Sequence, residues 1–404
     1  MKNLNNPSKI IIALLMLSAL TLPFLLIVSI VCWILIGIIR FAFKEERNSM
    51  ITILKENRLL KILPALYLFH VIGLLWTENF KYGGLDIQIK LTLFLLPIII
   101  GTSKISKQER LNILKSFVVG CIITSIYLLI HSFTAYSETM NVQLFFYTGL
   151  CYSFLHPTYF TMYINLAIII LLHFIVTTEK VRTQSISGIT LYFLLLMSIL
   201  LSARTAQAAI VISTLLYILF QLKSIKLKQS GLTILLIVAL MTVSSHILLT
   251  KINNRYTQVE KAIEDQSAVK EYNSTTARME IWKEAFELIK ENWLLGVGTG
   301  DVKTELVNTY KSHDFKYGYE KELNTHNEYI QIWLSIGFIG FLLLVLIHLL
   351  PIYQFNKYPD LIFPVFMMIC GLNALTEATL ETQRGVLFFA FFFSLMAVNS
   401  KASN

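Results

Sequence analysis

Long apolar runs are the feature that most restricts how this chain can fold. Residues 8–43 carry few charges, and further stretches of similar character recur at about the 20 residues that one bilayer crossing needs. Hydrophobic residues make up 55% of the 404 residues and charged residues 15%, whereas soluble domains approach a quarter charged. The chain is therefore expected to be an all-α protein that crosses a membrane many times.

The 8–43 segment is too long for one span, and Leu22-Pro23 predicts a break into two helices. The segment is also too long for a signal peptide and lacks a small-x-small cleavage site. With these two, the spans number about twelve. The others are expected at roughly 59–77, 85–102, 111–135, 157–177, 186–202, 205–221, 230–250, 327–353, 360–377 and 384–400.

Basic residues concentrate in alternate connections between the expected spans. The richer set lies in 44–61, 104–110, 180–182, 223–228 and Lys357, and the other short loops hold little beyond Lys81, Arg204 and Arg384. The positive-inside rule then places the richer set and both termini in the cytoplasm. The chain divides into spans one to nine (1–250), an outer loop (251–326) and spans ten to twelve (327–404).

The formal net charge of +9 is explained by these loops, so we expect no nucleic-acid partner. The cysteines are Cys32, Cys121, Cys151 and Cys370, which are scattered through mostly apolar surroundings. They suggest no disulfide framework and no metal motif.

The outer loop is the only long polar stretch, and its sequence predicts helices. Ser274-Thr275-Thr276 can cap a helix to about Asn292, because Met279, Trp282, Phe286 and Ile289 recur at helical spacing along one apolar stripe. The Gly296–Gly300 run neither follows a strand nor ends in Lys-Ser/Thr, which favours a structural turn over a phosphate cradle. Asp301 is expected to cap a short helix over 302–311.

Three side chains could carry chemistry on the outer side. Arg204 interrupts two apolar runs, and it is either a functional arginine facing a cavity or a snorkelling anchor. Arg278 lies one turn before Trp282 and could instead be an ordinary surface charge. His326 lies at the mouth of the tenth span and could instead be a capping histidine. Together, two guanidinium groups and an imidazole suit an anionic diphosphate and a hydroxyl that must lose a proton.

Other polar residues could support this set. Glu377, Glu381 and Arg384 occupy the last outer turn, where they pair with each other or with the site. His156 precedes Pro157 and Tyr159, a pattern that favours a plain helix start. No Asp-x-Asp pair and no histidine or cysteine cluster occurs in the sequence, so no metal is expected and arginine would neutralise the diphosphate.

Four motifs follow one another along about residues 190–345. They are Leu201-Ser202-Ala203-Arg204, Arg278-x-x-x-Trp282, Trp293-Leu294-Leu295-Gly296-Val297-Gly298, and His326-Asn327-Glu328-Tyr329 leading into Gly337-Phe338-Ile339-Gly340. In this order they resemble the motifs of the O-antigen ligase and polymerase family. The first motif departs slightly from the family, in which it often reads Ser-x-Ser-Arg.

The resemblance implies a membrane glycosyltransferase, similar to the GT-C class, in the bacterial inner membrane with its large loop in the periplasm. Its donor would be an undecaprenyl-diphosphate-linked glycan and its acceptor the lipid A core or another glycan. It would use no cofactor, metal or nucleotide sugar. By analogy, Arg204 and Arg278 would bind the diphosphate and His326 would deprotonate the acceptor, with inversion at the anomeric carbon.

Three alternatives stay open at this stage. A repeat-unit polymerase would use the same donor with a different acceptor. A flippase for lipid-linked glycans would need a polar path through the spans, where the sequence places few charges. A scaffold protein would tolerate substitution of all three candidate residues.

Overall fold

The computed structural model describes residues 7–152, 154–201, 204–222, 274–358 and 360–397, and these ranges contain helices and no β-strand. The expected span 230–250 and the first part of the outer loop lie outside the described residues. The helices are α1 (Pro7–Thr21), α2 (Leu26–Ala42), α3 (Lys44–Glu56), α4 (Ile62–Gly73), α5 (Phe80–Ile99), α6 (Lys107–Thr139), α7 (Tyr147–Cys151), α8 (Pro157–Thr177), α9 (Val181–Leu200), α10 (Arg204–Leu222), α11 (Ser274–Asn292), α12 (Val302–Ser312), α13 (Lys316–Glu320), α14 (Glu328–Tyr353), α15 (Ile362–Ala374) and α16 (Gln383–Met396).

Six helices in the described ranges are long and apolar enough to cross a membrane, or up to seven if the bent pair α2 and α3 forms one span. The six are Arg58–Trp76, Phe80–Ile99, Lys107–Thr139, Pro157–Thr177, Val181–Leu201 and Glu328–Tyr353. Four of the expected spans are shorter apolar helices, namely Pro7–Thr21, Thr205–Phe220, Ile362–Ala374 and Gln383–Met396. The multi-span all-α architecture is therefore confirmed, whereas the number twelve stays a prediction.

Helices α8 and α16 form the centre of the bundle. Every residue of α8 from Pro157 to Phe174 is buried, as is every residue of α16 from Gly385 onward. The rings of Tyr163 and Phe388 stack with their centroids 4.4 Å apart. Both helices begin beside candidate site residues, so His156 and the turn before α16 are attached to helices that are buried along most of their length.

Helix α14 is interrupted where the glycine turn of the outer loop packs against it. Ile336 and Gly337 leave the helical conformation, Gly337 with φ +71°. The Val297 N–H donates to the Leu334 carbonyl (2.7 Å) and the Phe338 N–H to the Trp293 carbonyl (3.0 Å). The turn therefore satisfies backbone groups that the break leaves free, which agrees with a structural role for the glycine run.

Asp301 does not cap the helix that follows it, which corrects the sequence-based expectation. It occupies the position before α12, yet its side chain makes no capping hydrogen bond there. Its two carboxylate oxygens instead accept from the backbone N–H groups of Glu78 and Asn79, both at 2.8 Å. Asp301 thus ties the outer loop to the chain entering α5.

Helix α11 spans the residues predicted for it, but its apolar stripe is divided. Ile281, Ala285 and Ile289 are buried against α12 and α14. Met279 and Phe286 are 66% and 45% exposed and face outward. Helical spacing alone could not separate the two faces, because both carry apolar residues.

Candidate functional site

A carboxylate bridges two of the candidate residues. Glu377 lies in the turn after α15, and its Oε1 accepts from Arg278 Nη2 at 3.3 Å. Its Oε2 lies 3.4 Å from His326 Nδ1. The side chains of Arg278, Glu377 and His326 are 26%, 16% and 31% exposed, so the group is partly desolvated and still in part accessible to solvent. We refer to Arg278, Glu377 and His326 as the bridged triad.

Trp282 connects the helix that carries Arg278 to the segment that carries His326. Its indole N–H donates to the Thr325 carbonyl at 2.9 Å. Arg278 and Trp282 are one turn apart and therefore lie on the same side of α11. This hydrogen bond fixes the distance between the helix and the histidine.

His326 has a backbone conformation that is uncommon for a residue other than glycine. Its φ is +46°, in the left-handed region that costs side-chain-bearing residues energy. The His326 N–H donates to the Asn324 side-chain oxygen at 3.0 Å, and Asn327 caps the start of α14 through the N–H groups of Tyr329 and Ile330. These contacts hold the strained residue at the helix mouth.

The two residues after His326 hold the segment that carries Glu377. The Asn327 side-chain amide donates to the Leu375 carbonyl at 3.1 Å. The Leu380 N–H donates to Glu328 Oε2 at 2.7 Å. Residues 326–328 therefore contact 375–380 three times in succession, and we call this arrangement the clasp.

His156 lies within electrostatic reach of the triad. Desolvation by the surrounding protein lowers the pKa of His156, an effect that Glu377 opposes and His326 reinforces. Its ring contacts Tyr159 edge to face, with centroids 5.6 Å apart. His156 thus starts α8, as expected from the Pro157 pattern, and also borders the candidate site.

Glu381 and Arg384 bond to other parts of the protein. Glu381 Oε1 lies 2.8 Å from Lys90 Nζ. The Arg384 guanidinium donates to the Phe154 carbonyl at 3.0 Å and lies over the Phe154 ring. Of the three acidic or basic residues in this turn, Glu377 is the one bonded to both Arg278 and His326.

Arg204 is the first residue of α10, and its side chain lies outside the described residues. The carbonyl of Ala206 accepts from the Asn165 side chain at 2.7 Å, and α10 packs against α8 and α15. This places the first turn of α10 beside α8, about two turns from Pro157. A shared site for Arg204 and the triad stays a prediction.

Comparison with known proteins bears on this arrangement. Residues 189–345 match the model of the O-antigen ligase family. The matched region covers less than half of the chain. It is also 26% identical over 199 residues to an uncharacterized protein of Haemophilus influenzae, an alignment that covers 47% of this chain and 48% of that protein. The match thus spans about half the length of this relative.

The matched region 189–345 contains only part of the candidate site. It runs from α9 into α14 and includes Arg204, Arg278 and His326. Glu377 lies beyond its end, in the turn between α15 and α16. The carboxylate that contacts both Arg278 and His326 therefore comes from outside the matched region.

Sequence reasoning missed a buried charge cluster near the site. Lys90 on α5 is 1% exposed and pairs with Asp86 and Glu381, and Glu328 at the start of α14 is fully buried. The interpretation that the spans hold almost no charges was wrong here. The available signal was Asp86 and Lys90 four residues apart within an expected span, a spacing that puts them on one helix face.

The outer loop also gathers three side chains able to ligate a metal, which the sequence did not predict. These are Glu284, Glu287 and His313, whose ligand atoms lie within 4.8 Å of one another. His313 Nδ1 bonds the fully buried Glu284, and this bond raises the pKa of His313. Lys283 Nζ lies 3.8 Å from the other Glu284 oxygen. Ion pairing accounts for this group, so we propose no metal there.

Proposed function

We propose that this protein is a membrane glycosyltransferase that moves a glycan from undecaprenyl diphosphate to an acceptor hydroxyl, with the lipid A core as the acceptor. The observation that carries the proposal is the bridged triad, in which one carboxylate contacts both an arginine and a histidine. The match to the O-antigen ligase family supports the same reaction class.

In this mechanism His326 is the base. When Nδ1 carries a proton it donates to Glu377 Oε2, and Nε2 is left to accept the proton of the acceptor hydroxyl. The carboxylate also stabilises the imidazolium that forms, as the aspartate does in serine hydrolases. General base catalysis of this kind contributes about 10²–10⁴-fold to a rate.

Arg278 would bind the donor diphosphate. One guanidinium nitrogen of Arg278 donates to Glu377. Arginine has five N–H donors, and the exposed part of the Arg278 guanidinium offers others to a ligand. Charge-assisted hydrogen bonds of this type are roughly twice as strong as neutral ones. Arg204 is proposed as the second diphosphate ligand, from its place at the start of α10.

These groups account for the proton and the leaving group in the proposed transfer step. The acceptor oxygen attacks the anomeric carbon while its proton passes to His326, and the bond from that carbon to the diphosphate oxygen breaks. The electron pair leaves with undecaprenyl diphosphate, whose growing negative charge the arginines stabilise. Because the attack comes from the side opposite the leaving group, we expect inversion at the anomeric carbon.

Deleting the gene and separating the surface glycans on a gel tests the proposal. Loss of long chains from the lipid A core, with lipid-linked polymer accumulating, supports a ligase. A single repeat unit left on the core would replace this with a polymerase of the same family. Lipid-linked glycan trapped on the cytoplasmic side would favour a flippase. Unchanged glycans would contradict the transferase altogether.

Complementation shows whether the chemistry depends on the triad. We expect the wild-type gene to restore long chains and His326→Ala to restore none at equal membrane abundance. His313→Ala is the matched control, because that histidine is exposed on the same loop and bonds Glu284 rather than Glu377.

A further inference from the structure

A buried ammonium group on α5 pairs with the segment that carries Glu377. Lys90 Nζ lies 2.8 Å from Oε1 of Glu381, a residue four positions after Glu377. Lys90 also bonds Asp86, which lies one turn earlier on α5. Lys90 is 1% exposed. A charge buried this deeply is stabilised only by its partners, so the position of Glu381 is coupled to that of α5.

Three carboxyl side chains and one ammonium group meet at this place. Glu328 is fully buried and lies within electrostatic reach of both Lys90 and Glu381. Its Oε2 accepts from Leu380, and its Oε1 has no hydrogen-bond partner among the described residues. Three carboxyl groups therefore surround one ammonium group. The positive charge of Lys90 stabilises neighbouring carboxylates and so favours their close approach.

Two sets of contacts fix the position of the 375–381 segment. The clasp fixes it from the His326 side, through Asn327 and Glu328, and Lys90 fixes its far end from α5. Glu377 lies between these points. Its carboxylate must meet Arg278 and His326 together, so a small displacement of the segment would break at least one of the two contacts.

We propose that Lys90 is a positioning residue, whose ammonium keeps the 375–381 segment against α5 and so keeps Glu377 between Arg278 and His326. The expected effect of Lys90 on glycan transfer rests on the proposed function, whereas its effect on the position of the 375–381 segment does not. Lys90 contacts neither Arg278 nor His326 in this scheme and acts through Glu381. Misplacing reacting groups by about 1 Å can cost on the order of 10²-fold in rate.

The kinetic test compares three variants in proteoliposomes. Lys90→Met leaves the partly buried Glu381 without its cation, and we expect kcat for glycan transfer to fall about 10–100-fold with a smaller change in KM for the donor. Lys90→Arg keeps the charge and should retain most of the activity. Lys303→Met removes an exposed lysine that pairs with Glu322 and should leave transfer unchanged.

A double variant separates positioning from direct substrate binding. Lys90→Met/Glu381→Gln removes the cation together with the carboxylate that links it to the 375–381 segment, and replacing both members of a desolvated ion pair is often tolerated. We expect it to recover most of the lost kcat. If Lys90 touched the substrate, the double variant would stay inactive and KM would rise, and this outcome would overturn the proposal.

Hydrogen–deuterium exchange of the wild type and Lys90→Met gives a readout that needs no enzymatic activity. We expect faster exchange in peptides covering 375–382 and unchanged exchange in peptides from α11. If this occurs while the wild type transfers no glycan, the proposed function fails and the positioning role stands. If the wild type transfers glycan and Lys90→Met alters neither exchange nor kcat, the positioning role is wrong.

Discussion

His326 Nδ1 lies 3.4 Å from Glu377 Oε2, although 51 residues separate them in the chain. The other oxygen of the same carboxylate bonds Arg278. The candidate site is therefore assembled from α11, the start of α14 and the turn before α16. The carboxylate of Glu377 therefore contacts the imidazole and the guanidinium at once, and the Arg278 side chain is still 26% exposed.

Replacing Glu377 tests the bridge. Glu377→Gln keeps the shape of the side chain but removes the negative charge that orients His326 and pairs with Arg278. We expect the transfer rate at saturating donor to fall at least about tenfold, as found when residues that orient catalytic groups are removed. Glu322→Gln, on an exposed ion pair with Lys303, is the control. Equal rates for the two variants would contradict a role for the bridge.

Replacing Arg278 by lysine tests diphosphate binding. A lysine keeps the charge but lacks the planar fork that can contact Glu377 and a phosphate together. We expect KM for the lipid-linked donor to rise about tenfold, since a hydrogen bond to a charged group is worth about 1.5–3 kcal/mol. Lys290→Arg, near the end of the same helix, should leave KM as it is. An unchanged KM in Arg278→Lys would rule out this contact with the donor.

The sequence predicted those parts of the molecule that local chemistry determines. Ser274 and the apolar spacing after it gave the bounds of α11, and Pro157 gave the start of α8. The motifs around Arg278 and His326 indicated residues that the structure brings to one carboxylate. Glu377 was named as a possible partner. Its two partners, Arg278 and His326, lie about 100 and about 50 residues before it in the chain, so their meeting depends on how the helices pack.

The errors have the same origin. Asp301 has the sequence context of a helix cap, yet the backbone at Glu78 and Asn79 comes close enough to bind its carboxylate instead. Lys90 was not singled out in the sequence, because its partner Glu381 lies 291 residues further along. The outward side chains of α11 could be identified only once α12 and α14 were placed against the other face.

A pH-dependent contribution to stability is expected from His313 in the outer loop. The Glu284 carboxylate raises the pKa of His313 above 6.5, Glu287 adds to this effect, and Lys283 opposes it. A raised folded-state pKa means stabilisation that is fully present below the unfolded pKa and is lost as pH rises through the folded one. The melting-temperature advantage of the wild type over His313→Gln should therefore be larger at about pH 5.5 than at about pH 9. An advantage that grows with pH would contradict this ion pair.

The break in α14 predicts an intolerance to side chains at Gly337. Its φ is +71°, and a Cβ there would overlap the Leu294 carbonyl oxygen. We expect Gly337→Ala to lower the free energy of unfolding by about 1–3 kcal/mol and to reduce the melting temperature of the purified protein. Gly188→Ala is the control, because no atom of the described residues lies within 4 Å of a Cβ at that position on α9. Equal stability of the two variants would show that the turn can move away from α14.

The most direct test of the account is transfer of a labelled glycan from undecaprenyl diphosphate to lipid A core by purified protein in liposomes, with wild type, His326→Ala and His313→Ala compared. We expect wild type and His313→Ala to form the product and release undecaprenyl diphosphate in equal amounts. His326→Ala should be slower by about 10²–10⁴-fold while remaining folded in the membrane. Near-normal product from His326→Ala would remove the base from the mechanism, and movement of intact lipid-linked glycan without transfer would contradict the enzyme.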